Sequence, residues 1–211
     1  ELKNIFQFLD NSEYSLDQDI INNHCTDWRG DFIGTSDIIL FPKSTSSISK
    51  IIKVCEKNHI PIIPQGGNTG LVGGSVPRKG KGEIIINLKN MNNIRKINLT
   101  DNSVVIEGGC ILEDLKKKLQ EYDMEFPLNM GSKGSCQVGG NIATNAGGVN
   151  YIKYGSIRQN ILGLEVVTTS GEIISNLSSI KKNNTGLDLK QIFIGSEGTL
   201  GIITAATFRI Y

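Results

Sequence analysis

The sequence predicts an α+β fold of two subdomains, and two observations carry that prediction. Strand and helix patterns run in βαβ order early in the 211 residues and as hairpins later, a mixture that a purely parallel or purely antiparallel sheet does not produce. Three glycine-rich segments interrupt the elements at 66–74, 131–148 and 195–201, and these 34 residues hold fourteen of the 24 glycines. Such clustering marks long ordered loops rather than scattered turns.

Residues 1–36 are polar and give no clear period. Asp37 to Phe41 reads as a short buried strand closed by Pro42. Ser44 to Asn58 reads as a helix: Ser44 can cap it, and Ile48, Ile51, Ile52 and Cys55 share one face. The apolar run 60–63 and Glu83 to Leu88 are further strands, so 37–88 has β-α-β-loop-β character. Ser103 to Glu107 opens a second unit, followed by an amphipathic helix over 111–121 with Lys116, Lys117 and Lys118 on its solvated side. Leu162 to Thr169 and Glu172 to Ser175 form a hairpin around Ser170-Gly171. Leu187 to Phe193 is a short helix, and Leu200 to Ile210 a last strand. The expected division is an N-terminal segment over 1–36, a first subdomain over 37–97 and a second over 98–211.

Composition narrows the function classes. A net charge of +1 argues against a nucleic-acid footprint or a polybasic membrane surface. No apolar run reaches the roughly 18 residues of a membrane span. Cys25, Cys55, Cys110 and Cys136 are far apart, and with only His24 and His59 beside them a zinc site is not expected.

The glycine segments carry the chemistry. Residues 58–77 contain no Asp, Glu, Lys or Arg, and neither do 134–152, although 20% of the chain is charged. Dense glycine lets a backbone turn its N–H groups into a concave nest, which holds phosphate without a dedicated cation. A Walker A loop requires a Lys after its last glycine, and none is present. A Rossmann loop opens directly into a helix, whereas this one runs into Val76-Pro77-Arg78-Lys79-Gly80-Lys81-Gly82. A pyrophosphate would therefore sit on loop amides.

P-Q-G-G-N-T-G-L-V-G-G-S at 64–75, G-S-C-Q-V-G-G-N-I-A-T-N-A-G-G at 134–148 and G-S-E-G-T-L-G-I-I-T at 195–204 resemble the FAD-binding domain of the vanillyl-alcohol-oxidase/p-cresol-methylhydroxylase (PCMH-type) flavoproteins. The resemblance is closest to their D-2-hydroxyglutarate and D-lactate dehydrogenase branch, and it runs from about Asp37 to Ile210. It implies a two-subdomain fold with FAD between the subdomains. By that likeness Pro64, Gln65, Gly66, Gly67, Asn68, Thr69, Gly70, Gly74 and Ser75 wrap the pyrophosphate. Gly131, Ser135, Gly139, Gly140, Asn141, Thr144 and Asn145 line the rest of the cofactor, and Gly198 and Ile202 meet it near the last strand. Some relatives tether FAD through a His in the first loop; Asn68 stands here, so non-covalent FAD is expected.

The resemblance further implies hydride transfer from C2 of a D-2-hydroxy acid to flavin N5, with electrons passed on to an acceptor protein or quinone, and a mitochondrial setting, with a cytoplasmic one as the alternative. The catalytic base, the substrate-binding residues and a divalent metal such as zinc are expected in a C-terminal substrate domain outside these 211 residues. No catalytic residue is assigned within them. The alternatives are the same fold serving glycolate, an alcohol or an ether-lipid precursor, and a non-catalytic module. Three single residues have two readings each. Cys136 is expected to pack against the cofactor rather than to be a redox thiol, Glu197 is either a partly buried carboxylate accepting loop N–H groups or a catalytic base, and Trp28 is expected to anchor the N-terminal segment rather than to contact substrate.

Overall fold

The computed structural model describes residues 2–211. In order, the elements are α1 (Leu2–Ile5), a 3-10 turn (Asn11–Glu13), β1 (Tyr14–Ser15), α2 (Gln18–His24), β2 (Ile39–Leu40), α3 (Thr45–Lys57), β3 (Ile62–Gln65) and β4 (Ile84–Asn87). They continue with β5 (Ile94–Asn98), β6 (Ser103–Glu107), α4 (Leu112–Gln120), α5 (Val138–Ala143), α6 (Tyr151–Tyr154), α7 (Ile157–Asn160), β7 (Ile161–Thr168), β8 (Ile173–Asn176), α8 (Lys190–Phe193) and β9 (Gly201–Arg209).

Two sheets result. The first has strand order β1-β2-β4-β3, with β2 and β3 both parallel to β4 and β1 antiparallel to β2. The second is wholly antiparallel, in the order β5-β6-β9-β7-β8. The chain changes sheet between Asn87 and Ile94. Strand β5 carries the polar run Ile94-Arg95-Lys96-Ile97-Asn98, whose weak alternation hides it in the sequence.

Burial explains why the first sheet reads as continuous apolar runs. Ile38, Leu40, Ile84 and Ile86 face α3, while Ile39, Phe41 and Ile85 face Ile21 and Cys25 of the α2 region. Parallel strands covered on both faces need no polar side. The N-terminal stretch, unreadable in sequence, thus supplies both an edge strand, β1, and the second covering layer through α2. Helix α3 is capped by Ser44, whose side chain accepts from Ser47 N, and it sits between the two sheets. Its Ser49 hydroxyl donates to Gly171 O at 2.6 Å, and Val167 and Ile202 of the second sheet join its core. The second core packs α4, α5 and α7 against β6, β7 and β9.

One polar cluster ties the subdomains. Glu165 Oε1 accepts from Thr45 Oγ1 at 2.6 Å, from Thr204 Oγ1 at 3.0 Å and from Arg95 Nη2 at 3.1 Å. Arg95 also bonds Glu107 at 3.1 Å. Burial raises the Glu165 carboxyl, but the bonds from Thr45 and Arg95 and the arginine charge outweigh it and hold the group below its ordinary value.

Candidate functional site

The first glycine loop leaves β3 at Gln65, which is 1% exposed. Gln65 Nε2 donates to His24 O at 2.9 Å and to Ser75 O at 2.8 Å, so one side chain holds both ends of the loop together. Inside it, Asn68 takes a left-handed backbone (φ 52°), donates from Nδ2 to Thr26 O at 2.8 Å and accepts from Ser75 Oγ at 2.7 Å. Side chains thus fix this loop. Its backbone donors are unspent: among the described residues, none of the ten N–H groups from Gly66 to Ser75 finds a protein acceptor. None of these residues is buried, so their donors are open to solvent or to a ligand. A run of ten such donors in a glycine loop suits an anion. The following residues, 76–82, are turns and extended chain, as the composition predicts.

The second segment is built the opposite way. Leu112 N donates to Cys136 O, Val138 N to Cys110 O at 2.9 Å and Gly139 N to Gly108 O at 2.7 Å, zipping the segment onto the turn between β6 and α4. It then forms α5, a helix that the residues Val-Gly-Gly-Asn-Ile-Ala do not advertise. The third segment hangs from the end of that helix: Gly195 N donates to Ile142 O and Glu197 N to Ala143 O at 2.8 Å.

The three segments meet closely. A side chain at Gly67 would collide with the Ser135 carbonyl, and one at Gly198 (φ 79°) would lie 2.7 Å from Pro64 Cγ. By contrast, Gly70, Gly74 and Gly140 face open space. Two kinds of glycine are present: some let the loops touch, and others leave room beside them.

Between the segments lies a cleft of about 400 Å³, in the range of small-molecule sites. Of the residues predicted to bind cofactor, Pro64 through Gly70, Gly74, Ser75, Gly139, Gly140, Asn141, Thr144, Gly198 and Ile202 line it. Gly131, Ser135 and Asn145 stand beside the wall rather than on it. Sequence reasoning missed Leu88, Met130, Gln137 and Ile203, whose apolar or amide side chains complete the wall. Glu197 is the one charged residue on it. Gln137 Oε1, Asn141 Oδ1 and Asn145 Oδ1 are buried without a hydrogen-bond partner among the described residues. Of these, Gln137 and Asn141 line the cleft, where a ligand or water can supply the missing donors; Asn145 does not, and Asp27 Oδ2 is orphaned away from it.

Two expectations about single residues need correction. Glu197 is exposed, has a left-handed backbone (φ 53°) and accepts no hydrogen bond among the described residues, so it is not a partly buried carboxylate held by loop amides. Trp28 is 67% exposed and anchors nothing, and the neighbouring Asp27 does that work by accepting from Phe32 N at 2.8 Å. Cys136 is 1% exposed and on the cleft wall. The other buried thiols are inert for a physical reason: burial pushes Cys55 up to about 12 and Cys110 up to about 11. Among the described residues no group of three or more His, Cys, Asp or Glu could hold a metal, and no helix is long and apolar enough to cross a membrane.

A two-subdomain α+β protein with a cleft free of Lys and Arg and walled by three glycine loops defines a class: a nucleotide-cofactor domain. The chain belongs to the FAD binding domain family, whose model matches residues 36–176. It is 46% identical over 191 residues to D-2-hydroxyglutarate dehydrogenase, mitochondrial, of Danio rerio, covering 90% of this chain and 36% of that protein. It is also 46% identical over 181 residues to D-2-hydroxyglutarate--pyruvate transhydrogenase DLD3 of Saccharomyces cerevisiae, covering 86% of this chain and 36% of that one. The chain therefore spans about a third of the length of these relatives. In fold it matches an alkyldihydroxyacetonephosphate synthase structure with a TM-score of 0.88 at 24% identity, covering 100% of this chain and 40% of the other.

Proposed function

We propose that this chain is the cofactor-binding portion of a flavin-dependent D-2-hydroxyacid dehydrogenase acting on D-2-hydroxyglutarate, and that its FAD is held non-covalently. The ten unspent N–H groups of Gly66 to Ser75 are the observation that carries the cofactor part. They offer a pyrophosphate its donors on a wall with no lysine or arginine. Ser75 Oγ and Thr69 lie at the same loop, and the orphaned oxygens of Gln137 and Asn141 suit the ring N–H and amino donors of an aromatic nucleotide.

Two observations support non-covalent attachment. Asn68 occupies the loop position where some family members carry a tethering His. His24 lies behind the loop rather than on the cleft wall, and His59 is exposed just after α3.

FAD, when held by the loops at 64–75 and 134–148, would supply the hydride-accepting chemistry that oxidation of a D-2-hydroxy acid requires. The residues of this chain would bind and orient it. The substrate reading is carried by the relatives' names, and their 46% identity favours it over glycolate, alcohol or ether-lipid substrates and over a non-catalytic module. We place the acid–base groups, the carboxylate-binding residues and a divalent metal such as zinc in the part of the relatives' length that lies outside these residues. The electron acceptor is a protein or quinone, and the setting is mitochondrial, as in the Danio rerio relative's name.

The test begins with the visible spectrum of the purified chain. Flavin absorbance near neutral pH, released entirely into the supernatant by acid precipitation, is the expected result. A colourless protein that fails to take up added FAD would overturn the cofactor assignment, and flavin retained in the pellet would overturn the non-covalent one. For the substrate, the full-length protein is reduced without oxygen by D- and L-2-hydroxy acids in turn. Bleaching by D-2-hydroxyglutarate and not by its L form is expected.

A further inference from the structure

We infer that His24, which lies outside every glycine segment, is a positioning residue for the pyrophosphate loop and works in its Nδ1–H form. The inference goes beyond the cofactor assignment but depends on it for its affinity readout. It starts from the orientation of Gln65. Its Nε2 faces two carbonyl oxygens, those of His24 and Ser75. The opposite amide orientation would set Oε1 against both carbonyls, so Oε1 must point the other way. There it accepts from Asn87 Nδ2 at 3.0 Å and meets His24 Nδ1 at 2.6 Å. Asn87 is fixed in its turn, because its Oδ1 accepts from Lys89 N and its Nδ2 also donates to Gly66 O. With Oε1 committed as an acceptor, His24 Nδ1 must carry the proton.

The consequence is a closed circuit. His24 Nδ1–H orients the Gln65 amide, and the oriented amide clamps Ser75 O across the mouth of the loop. The same N-terminal stretch holds the loop interior through Asn68 and Thr26 O. Three bonds from residues 24–26 therefore set the curvature of ten free amides. The His24 ring is held in place by its edge contact with Phe41, 5.8 Å between centroids. Without the Nδ1 donor, the buried Gln65 Oε1 keeps Asn87 Nδ2 as its one partner, so the amide is held less firmly and its clamp on Ser75 O weakens.

The test uses three variants of the full chain. His24→Asn keeps an N–H close to the Nδ1 position, His24→Gln moves it toward Nε2, and His24→Leu removes it. FAD affinity is measured by quenching of flavin fluorescence, and hydrogen exchange of residues 66–75 is measured on apoprotein. H24L is expected to bind FAD about tenfold more weakly, the equivalent of one buried hydrogen bond, with faster exchange in the loop. H24N should return to within about threefold of wild type and H24Q should not, a pattern that side-chain packing alone does not generate. Equal affinity and exchange in H24L and wild type would overturn the inference, as would equal loss in H24N and H24L. If wild type itself takes up no FAD, the cofactor assignment fails, while loop exchange in the apoprotein still decides the role of His24.

Discussion

The two long glycine segments have nearly the same composition and opposite construction. In the first, side chains of Gln65, Asn68 and Ser75 hold the shape and the backbone amides stay free. In the second, backbone amides at Leu112, Val138 and Gly139 knit the segment to the β6–α4 turn, and side-chain oxygens of Gln137, Asn141 and Asn145 stay free. One is a cradle that offers donors, and the other is a platform that offers acceptors. A nucleotide has both kinds of group, phosphate oxygens and ring N–H donors, and a cleft between two such walls can satisfy both. Glycine content alone does not say which wall is which; the hydrogen-bond inventory does.

The comparison breaks most easily where the walls touch. Gly67→Ala should drive a methyl group into the Ser135 carbonyl and force cradle and platform apart. Destabilisation of about 1–3 kcal/mol is expected by analogy with overpacked cores, together with a large loss of FAD affinity. Gly70→Ala is the control, since its methyl meets open space. Its stability should stay within about 0.5 kcal/mol of wild type. Urea denaturation of both variants checks this; equal stability of the two would mean the walls do not meet as described.

A smaller effect is expected at the joint that holds platform and first subdomain together. Glu165→Gln keeps the shape but removes the charge that Arg95, Thr45 and Thr204 address. A loss of about 2 kcal/mol at neutral pH is expected for hydrogen bonds to a charged group. The sign with pH follows from the depressed carboxyl. In the unfolded chain a glutamate titrates at about 4.3, and in the folded chain it titrates lower. The stabilisation is therefore fully present above that unfolded value and is lost as pH falls through the folded one. The gap between wild type and E165Q should close in acid, as thermal melts at pH 7 and in a descending acid series would show. A gap independent of pH would indicate that shape, not charge, couples the subdomains.

Much of this was legible in the sequence, and the exceptions have physical causes. Apolar periodicity marked α3 and α4, because each buries a single face, and continuous apolar runs marked β2 and β4, because both their faces are covered. Lack of charge with dense glycine marked the cleft. Helix α5 stayed hidden because glycine and asparagine disfavour the helix that its bonds to the β6–α4 turn impose. The role of residues 18–28 stayed hidden because it depends on His24 meeting Gln65, 41 positions away. No local pattern encodes that distance. Glu197 was misjudged since a carboxylate in an uncharged loop invites a hydrogen-bonding explanation, whereas the residue is exposed and its carboxylate accepts no bond among the described residues.

Glu197 also supplies the finest test of the comparison, because it is the one charge on the wall and sits in a conformation that costs a non-glycine residue about 1–2 kcal/mol. Two substitutions separate the two properties. Glu197→Gly relieves the backbone and removes the charge; Glu197→Gln removes the charge alone. E197G should gain about 1 kcal/mol of stability, part of the strain relief being returned as greater freedom in the unfolded chain, and E197Q should change little. Both should bind FAD about threefold more tightly at low salt if the cradle holds the pyrophosphate, and that gain should fade at high ionic strength, where exposed charges are screened. Fluorescence titrations at two salt concentrations read the electrostatic part, and urea denaturation reads the backbone part. Tightening in E197G but not in E197Q would assign the effect to loop shape and remove the electrostatic argument for a neutral wall.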